Sequence, residues 1–280
     1  MRKSLESFTC QRAPGGLRWW PAGEISLTAR GQEILRTLDT PNGADVEPLK
    51  QSARRSVLRV RGSVPPLASV IIKGFPLRKL ESRLKYRKYG LTEFINYQHA
   101  VERKIPTPAC HGYFEVRSLG MVTANGVIIE DMVGWRSLAE LVEQNAARQI
   151  DVLAVAIPLL KLLYETGTNH IDTSPQNMLQ SPDGKHVKLI DWQYCSFVEP
   201  RSRTQLALQA AHFLNYAKLT ITSTVWKEWL RRLAAECVAT GWAGSLSCAV
   251  DALQLNGKIS GEKRLKLMID PPVADLLQSA

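Results

Sequence analysis

The chain has 280 residues, which is enough for one large domain or two modest ones with a substantial buried core. Its hydrophobic fraction of 45% and its seven tryptophans are typical of an ordered globular protein and exclude a disordered one. The formal net charge of +10 makes nucleic acid, an anionic membrane surface and a phosphorylated substrate the partners to consider.

Apolar segments and cysteines indicate the cellular compartment. The longest apolar segment, near residues 152–163, is interrupted by Pro158 and Lys161 and is too short to span a bilayer. The first residues, MRKSLESFTCQRAPGG, lack the apolar stretch of a signal peptide. The five cysteines are scattered and have no C-x-x-C spacing, which argues against a disulfide framework or a zinc site. We therefore expect a cytoplasmic protein, with peripheral attachment to a membrane as an open alternative.

The first part of the chain predicts short strands and one main helix. Residues 1–50 are rich in glycine, proline and charge, and predict little beyond a possible early strand near Glu24–Ala29. Two β-branched runs, SVLRVRG and ASVIIKG, are separated by SVPPL and predict two strands joined by a turn. LTEFINYQHAVERK carries apolar residues at helical spacing and predicts an amphipathic helix, which the prolines of IPTP end.

The later part predicts a hairpin, a linker and a helical region. GMVTANGVIIEDM predicts a hairpin, because Asn-Gly at 125–126 suits a tight turn between apolar strands. After a linker near residues 130–135, SLAE is typical of a capping box, and IDVLAVAIPLLKLLYETG predicts one largely buried helix. The chain after Pro200 is expected to be helical, including STVWKEWLRRLAAECVATG. The predicted domains are an N-terminal extension with early strands at 1–50, a strand-rich lobe at 51–131 and a helical lobe at 132–280.

Residues 170–192, HIDTSPQNMLQSPDGKHVKLIDW, place polar side chains around a short predicted hairpin. Pro-Asp-Gly supplies its turn, so Asn177 before the first strand and Asp191 after the second should lie side by side. Asp172, one short loop upstream, is within reach of the same end. An amide and a carboxylate oxygen suit Mg²⁺ carrying a nucleotide phosphate, and a second carboxylate could accept a hydroxyl proton. An ordinary polar loop beside a hairpin is the plainer alternative.

The order H-x-D-x-x-P-x-N, followed by a strand and an aspartate, resembles the catalytic loop and metal-binding aspartate of the protein-kinase superfamily. The resemblance implies a strand-end lysine that holds nucleotide phosphates and a glutamate on the next helix that orients it; Lys73 and Glu93 stand at those places. It also implies that IIEDM, with Glu130 and Met132, is the hinge whose backbone binds adenine. We therefore expect an α+β, two-lobed protein-kinase-like fold, with a small antiparallel β lobe carrying one main helix and a larger, mainly helical lobe.

Departures from the kinase pattern bear on nucleotide binding and on the acceptor. No G-x-G-x-x-G loop precedes Lys73, and only Gly62 and Ser63 stand near the turn between the two strands. The family's D-F-G is D-W-Q at 191–193, and the loss of its glycine argues against a mobile switch. A new helix follows soon afterwards without an A-P-E motif, and Ser174 stands where Ser/Thr kinases usually carry lysine. These features favour a small-molecule or glycan hydroxyl over a peptide.

A basic segment at 77–90, LRKLESRLKYRKYG, separates candidate substrate classes. Aminoglycoside phosphotransferases bind polycations and would be expected to line the acceptor side with carboxylates, whereas this segment has the single acidic residue Glu81. Its basic residues are Arg78, Lys79, Arg83, Lys85, Arg87 and Lys88. The segment predicts an anion-binding surface for a phosphorylated sugar, acidic lipid head groups or both. A solvated helix face is the plainer alternative.

This basic segment, the helix after it and KIPTPACHGY resemble the lipopolysaccharide core kinase family, bacterial enzymes that phosphorylate heptose or 3-deoxy-octulosonate (Kdo) sugars of the inner core. The resemblance covers roughly residues 57–199 and is most specific in the basic segment, IPTP and the catalytic loop with KLIDW. It implies ATP as donor and activity at the cytoplasmic face of the inner membrane. The residue roles it implies are phosphate binding by Lys73, orientation of that lysine by Glu93, hydroxyl orientation or general base catalysis by Asp172, and Mg²⁺ binding by Asn177 and Asp191.

Alternative functions stay open. One is a kinase of the same fold that acts on another small-molecule or protein acceptor. Another is a membrane-associated pseudokinase scaffold. The missing glycine-rich loop is consistent with a scaffold, whereas the intact set of site residues argues against it; they are Lys73, Glu93, Asp172, Asn177 and Asp191. Nucleic acid is not expected as a partner, because no RNA or DNA module is recognisable, and the oligomeric state is left open. The isolated histidines are expected to be ordinary surface or core residues; they are His99, His111, His186 and His212.

Overall fold

The computed structural model describes residues 5–38, 40–197, 203–215 and 221–237. It divides the chain into two compact units. Unit 1 consists of Met1–Gln98 and Pro108–Val133, and unit 2 consists of His99–Thr107 and Gly134–Ala280. The expected mixture of an antiparallel sheet and helices is confirmed, with the large sheet in unit 1 and most of the described helices in unit 2.

Unit 1 is built on one antiparallel sheet of seven strands in the order β1-β2-β6-β7-β5-β4-β3. The strands are β1 (Gln11–Ala13), β2 (Leu17–Pro21), β3 (Val46–Gln51), β4 (Ser56–Val64), β5 (Leu67–Pro76), β6 (Cys110–Ser118) and β7 (Met121–Glu130). The predicted strand pair is confirmed as β4 and β5, since Leu58 opposes Ile72 and both side chains are fully buried. Period-two alternation of apolar residues gives this pair its core-facing side.

The early strand predicted near Glu24–Ala29 is wrong. That segment is irregular and leads into α1 (Ala29–Arg36), whose first turn is capped by Thr28: the hydroxyl oxygen accepts from the Gly31 N–H at 3.0 Å. The Thr28 N–H and hydroxyl both donate to the Ser63 carbonyl, at 3.2 and 3.1 Å. A Cβ at Gly31 would overlap that carbonyl, so only glycine permits the approach. Helix α1 is therefore bonded to the end of β4, at the β4–β5 turn.

Two helices lie between β5 and β6 in the chain: α2 (Leu80–Tyr86) and α3 (Tyr89–Glu102). Helix α3 confirms the predicted amphipathic helix, because Phe94 and Tyr97 are fully buried one turn apart. It ends just before the IPTP segment, as expected from proline's missing N–H. Helix α2 contains no buried residue.

The hairpin turn predicted at Asn125-Gly126 is also wrong, because β7 runs straight through both residues. The β6–β7 turn lies instead at Leu119-Gly120, where the φ angles are 49° and 79°. The buried Asn125 side chain accepts from the Gly90 N–H at 2.8 Å and donates to the Tyr86 and Arg87 carbonyls, each at 3.3 Å. A Cβ at Gly126 would overlap the Lys73 carbonyl. The Asn-Gly pair thus lets the junction between α2 and α3 approach the sheet closely.

Unit 2 contains short strands and several helices among its described residues. They are β8 (Arg136–Ser137), α4 (Leu138–Gln144), α5 (Gln149–Ala154), α6 (Ile157–Glu165), β9 (Thr168–His170), β10 (Met178–Gln180), β11 (Val187–Leu189), β12 (Cys195–Phe197), α7 (Arg203–Leu214) and α8 (Ser223–Cys237). Strands β11, β10 and β8 form one small sheet, and β12 pairs with β9 in another. These two small sheets position the polar segment 170–192.

The helical predictions for unit 2 hold in part. The capping box is confirmed, since the Ser137 hydroxyl and the Glu140 carboxylate each accept from the other residue's N–H at 3.2 Å. The single helix predicted at 150–167 is wrong: it is divided into α5 and α6, because Pro158 lacks the N–H that would continue the first helix. Helix α8 confirms the last predicted helix over its described residues, and the predicted tail at 238–241 lies outside them.

Tryptophan packing fixes α8 to the rest of unit 2. Trp229 is fully buried, and its indole N–H donates to the Leu153 carbonyl at 2.9 Å. Its ring stacks on Phe213 of α7, with centroids 5.0 Å apart. None of the helices in the described part of the chain combines the length and apolar character that crossing a membrane requires.

Candidate active site

In unit 1, Lys73 of β5 and Glu93 of α3 form an ion pair, with Lys73 Nζ 2.7 Å from Glu93 Oε1. The two side chains are 7% and 0% exposed. Burial of both charges removes their hydration, so such a pair adds little net stability compared with apolar residues of the same size. The pair that the kinase resemblance implied is therefore formed, at a place where stability alone gives no reason for it.

The segment predicted as the hinge follows the end of β7. The Glu130 N–H donates to the Ala109 carbonyl at 2.8 Å, and the Glu130 carboxylate accepts from the Ala109 N–H at 2.9 Å. The next carboxylate, Asp131, accepts from Ser69 Oγ at 2.6 Å and from Arg59 Nε at 2.9 Å. Met132 follows in irregular backbone. The N–H and the carboxylate of Glu130 are thus both engaged with the backbone of Ala109 within unit 1.

In unit 2, the predicted hairpin is present as β10 and β11, with Met178 opposite Leu189. The Ile190 N–H donates to the Asn177 carbonyl at 3.0 Å, which extends the pairing by one step beyond the strands. Asn177 and Asp191 are therefore brought to the same end of the hairpin, as the sequence predicted. Asp183 lies at the opposite end, where its carboxylate accepts from the Lys185 N–H at 3.1 Å.

Asp191 has a φ of 67°, in the left-handed region that residues other than glycine rarely adopt. Holding it there costs on the order of 1 kcal/mol, and such strain is concentrated at functional sites. The next residue, Trp192, is fully buried, and its indole N–H donates to Thr107 Oγ1 at 2.8 Å and to the Leu189 carbonyl at 3.1 Å. This anchorage agrees with the expectation that the D-W-Q segment lacks the mobility of a D-F-G switch.

Asp172 lies on the loop between β9 and a short 3-10 helix at Pro175–Asn177. Its N–H donates to His170 Nδ1 at 3.3 Å, and its carbonyl accepts from Asn177 Nδ2 at 3.0 Å. Its carboxylate oxygen Oδ1 lies 2.8 Å from His212 Nε2. Partial burial raises the pKa of Asp172, but hydrogen bonds from His212 and Ser174 outweigh it and hold the pKa well below its usual range. The carboxylate is thus ionised over the whole neutral pH range.

His170 connects the Asp172 loop with the residue before Asp191. Its ring is fully buried, Nδ1 accepts from the Asp172 N–H, and Nε2 lies 3.1 Å from the Ile190 carbonyl. Those partners assign the proton of the neutral ring to Nε2. Burial lowers the pKa of His170 to about 4, despite the opposing charges of Asp191 and Asp172. The neutral imidazole therefore links the Asp172 loop to the residue before Asp191 through its two ring nitrogens.

The buried neutral ring of His170 predicts that the stability of the protein depends on pH. Because the pKa of His170 falls from 6.5 in the unfolded chain to about 4 in the folded protein, its contribution is complete above pH 6.5. As pH falls from 6.5 to 4, the unfolded chain takes up a proton first, so about 3 kcal/mol of unfolding free energy should be lost. Urea unfolding of the wild type and of His170→Gln between pH 7.5 and 4.5 measures this difference. Equal pH slopes for the two proteins would contradict the assignment.

The residues at the hairpin end fit a magnesium ion. Asn177 Nδ2 donates to the Asp172 carbonyl, so the amide offers its oxygen Oδ1 as a ligand at the hairpin end that also carries Asp191. Within the described ranges, no group of three or more His, Cys, Asp or Glu side chains is arranged to hold a metal. Mg²⁺ bound with a nucleotide needs only one or two protein oxygens, because phosphates and waters complete its octahedron. This donor set matches that requirement.

The basic segment forms α2 and the residues on either side of it. Arg78, Lys79, Lys85, Arg87 and Lys88 are exposed, whereas Arg83 is half-buried and donates from Nε to the Leu77 carbonyl at 3.0 Å. Two leucines of the same helix are also exposed: Leu80 is 62% and Leu84 is 66% accessible. The helix and the residues that flank it thus present cationic and apolar side chains together to solvent.

The sequence predicted that His212 is an ordinary surface or core residue. That prediction is wrong, because its ring contacts the carboxylate of Asp172. A signal was present in the sequence: Gln205, Gln209 and His212 follow each other at i, i+4 and i+7 and form a polar stripe on one face of α7. Such a stripe identifies a helix face, but its partner emerges only from the fold.

Comparisons with known proteins bear on the fold. No protein-family model matches the chain, and no curated protein matches its sequence. The solved structure "WaaP in complex with acyl carrier protein" matches with 13% identity and a TM-score of 0.54, covering 84% of this chain and 99% of that chain. A second, "ROP18 kinase domain in complex with AMP-PNP and sucrose", matches with 13% identity and a TM-score of 0.46, covering 82% and 78%. The first match confirms the predicted protein-kinase-like fold, and with it the resemblance at the level of the fold.

Proposed function

We propose that this protein is an ATP- and Mg²⁺-dependent kinase that phosphorylates a sugar hydroxyl, of heptose or Kdo, in the lipopolysaccharide inner core. One observation carries the proposal: on a protein-kinase-like fold, a hairpin holds Asn177 beside Asp191, and Asn177 in turn bonds the loop of Asp172. The buried pair of Lys73 and Glu93 adds support, because a kinase requires it and stability does not.

Each residue has a defined task in the proposed reaction. Lys73, held by Glu93, would neutralise charge on the nucleotide phosphates, and the backbone of Glu130 and Met132 would bind adenine. Asn177 and Asp191 would hold Mg²⁺, which when bound would offset the charge of the triphosphate.

Asp172 would align the acceptor hydroxyl with the γ-phosphate and take its proton as the new P–O bond forms and ADP leaves. The low pKa of Asp172 makes it a weak base, so alignment is its larger contribution.

The acceptor would be an anionic, lipid-linked sugar. The exposed basic residues of the α2 region suit phosphate or carboxylate groups, and Leu80 and Leu84 suit the adjoining acyl region of a membrane surface. A peripheral position at the cytoplasmic face of the inner membrane follows from that acceptor. The observation that favours a lipid-linked sugar over a freely soluble one is the presence of exposed cations and leucines together on α2 and its flanking residues.

Reversing charge in the basic segment should weaken acceptor binding specifically. For Arg87→Glu/Lys88→Glu, we expect the KM for the acceptor to rise about tenfold, equivalent to about 1.4 kcal/mol, while the KM for ATP stays unchanged. Raising the salt concentration should reduce this difference, because screening weakens the attraction already present in the wild type. Steady-state kinetics at low and high salt measure both effects. The matched control is Lys50→Glu/Arg54→Glu, which reverses two other exposed charges of unit 1; an equal effect there would contradict a dedicated surface.

The proposed function is tested by offering acceptors directly. The protein is incubated with ATP, Mg²⁺ and a panel of dephosphorylated core glycans, and mass spectrometry reports which glycan gains phosphate. We expect a heptose- or Kdo-containing glycan to be modified. ATP turnover without modification of any glycan would point to another acceptor, and failure to bind or turn over ATP would point to a scaffold.

A further inference from the structure

Helix α7 is fastened to the loop that carries Asp172. The side-chain amides of Gln205 and Gln209 both donate to the Thr168 carbonyl, Gln209 at 3.0 Å. The Gln209 carbonyl accepts from Thr173 Oγ1 at 3.0 Å. All of these side chains are buried. The helix is thereby bonded to the chain both before and after Asp172, so its position relative to that residue is fixed.

His212 lies one turn beyond Gln209 on the same face of α7. Its Nε2 is 2.8 Å from Oδ1 of Asp172, and the two side chains are 29% and 48% exposed. The neighbouring Phe213 is fully buried and stacks on Trp229, which anchors the end of the helix. Both partners of the contact therefore project from segments that are held independently of the contact itself.

Stability gives little reason for this contact. A half-exposed contact of this kind adds little to stability, and the buried glutamines and Phe213 already fix the helix. The backbone of Asp172 is held by His170 and Asn177, and within the loop its carboxylate is bonded by the neighbouring Ser174. The His212 ring restrains the same carboxylate from outside the loop.

We propose that His212 is a positioning residue, which holds the Asp172 carboxylate in the orientation that receives the acceptor hydroxyl. This inference rests on the proposed function and assigns His212 no contact with the substrate. It acts by removing a rotational freedom of Asp172, so its loss should lower the rate of the chemical step and leave nucleotide binding intact.

The kinetic test compares His212→Ala with His212→Gln, whose amide can still donate to Asp172. For His212→Ala we expect kcat to fall about tenfold to a hundredfold, with the KM for ATP and the urea midpoint unchanged. His212→Gln should recover most of that loss. The control is His99→Ala, which removes another histidine–carboxylate contact of unit 2, with Glu102 at 3.0 Å, and should keep its kcat. An unchanged kcat in His212→Ala would overturn the proposal.

A second measurement needs no acceptor. In ¹⁵N-histidine-labelled protein, the wild type should show a ring N–H signal protected from solvent exchange, assigned to His212 by its loss in His212→Gln. The signal should disappear in Asp172→Ala and persist in Asp191→Asn. Its absence from the wild type would overturn the pairing. If the pairing is present but no glycan is phosphorylated, the acceptor assignment fails, and the slow hydrolysis of ATP, with water as acceptor, then supplies the kcat comparison.

Discussion

An Asp191→Asn protein is expected to bind ATP and to transfer essentially no phosphate. The substitution keeps the size of the side chain and tolerates the left-handed backbone at this position, so the hairpin should fold unchanged. It removes the one charged member of the proposed metal pair and leaves only neutral amides. We expect a loss of at least about 10³-fold in rate, because electrostatic stabilisation of the transferred phosphoryl group is usually the largest catalytic contribution. Phosphate transfer measured against Mg²⁺ concentration gives the result.

The same hairpin provides the matched control. Asp183→Ala removes an exposed carboxylate from the turn at the other end of β10 and β11, where it accepts from the Lys185 N–H. That variant should keep nearly full activity, even if the turn loses some stability. Full phosphotransfer by the Asp191 variant, or equal losses in both variants, would remove the basis for a metal site at the hairpin end.

Breaking the pair of Lys73 and Glu93 should damage both activity and stability. Removing one partner leaves an uncompensated buried charge, so Lys73→Met or Glu93→Leu should each lower the free energy of unfolding by about 3–5 kcal/mol. Activity should fall about a hundredfold or more in each variant, because the phosphates lose a positioned cation. Urea unfolding and phosphotransfer assays measure the two effects separately.

The double variant Lys73→Met/Glu93→Leu distinguishes a functional pair from a structural one. With both charges gone, we expect stability to return close to the wild-type value while activity stays low. The control is Arg148→Ala, which breaks an exposed pair with Asp151 and should change stability by less than about 1 kcal/mol. A double variant that regains activity would show that phosphate binding does not depend on Lys73.

Much of the site follows from local patterns. The Pro-Asp-Gly turn sets the register of β10 and β11, so the positions of Asn177 and Asp191 at one end could be derived from the sequence. The kinase resemblance implied Lys73 and Glu93, and the strand and helix predicted to carry them are both present. In each case, the site residue lies on or beside a strand or helix that can be predicted from its own local sequence.

The predictions were wrong where contacts with residues distant in the sequence determine the local structure. Asn125 and Gly126 have the composition of a tight turn, yet they lie inside a strand because Gly90 and the Lys73 carbonyl approach them there. Helix α1 starts where it does because Thr28 bonds Ser63, far along the chain. The stripe that ends in His212 becomes interpretable only when the loop of Asp172 lies against it. Local propensity carries no information about such partners.

The fastening of the β4–β5 turn to α1 has a consequence for the entropy of nucleotide binding. A flexible glycine-rich loop loses about 1–2 kcal/mol of backbone entropy per residue when it closes over phosphates. Here the Ser63 carbonyl is already bonded to Thr28, and the contact with Gly31 leaves no space between helix and turn. The backbone of this turn is therefore ordered during folding, and in the proposed reaction its ordering would not be repeated each time a nucleotide binds.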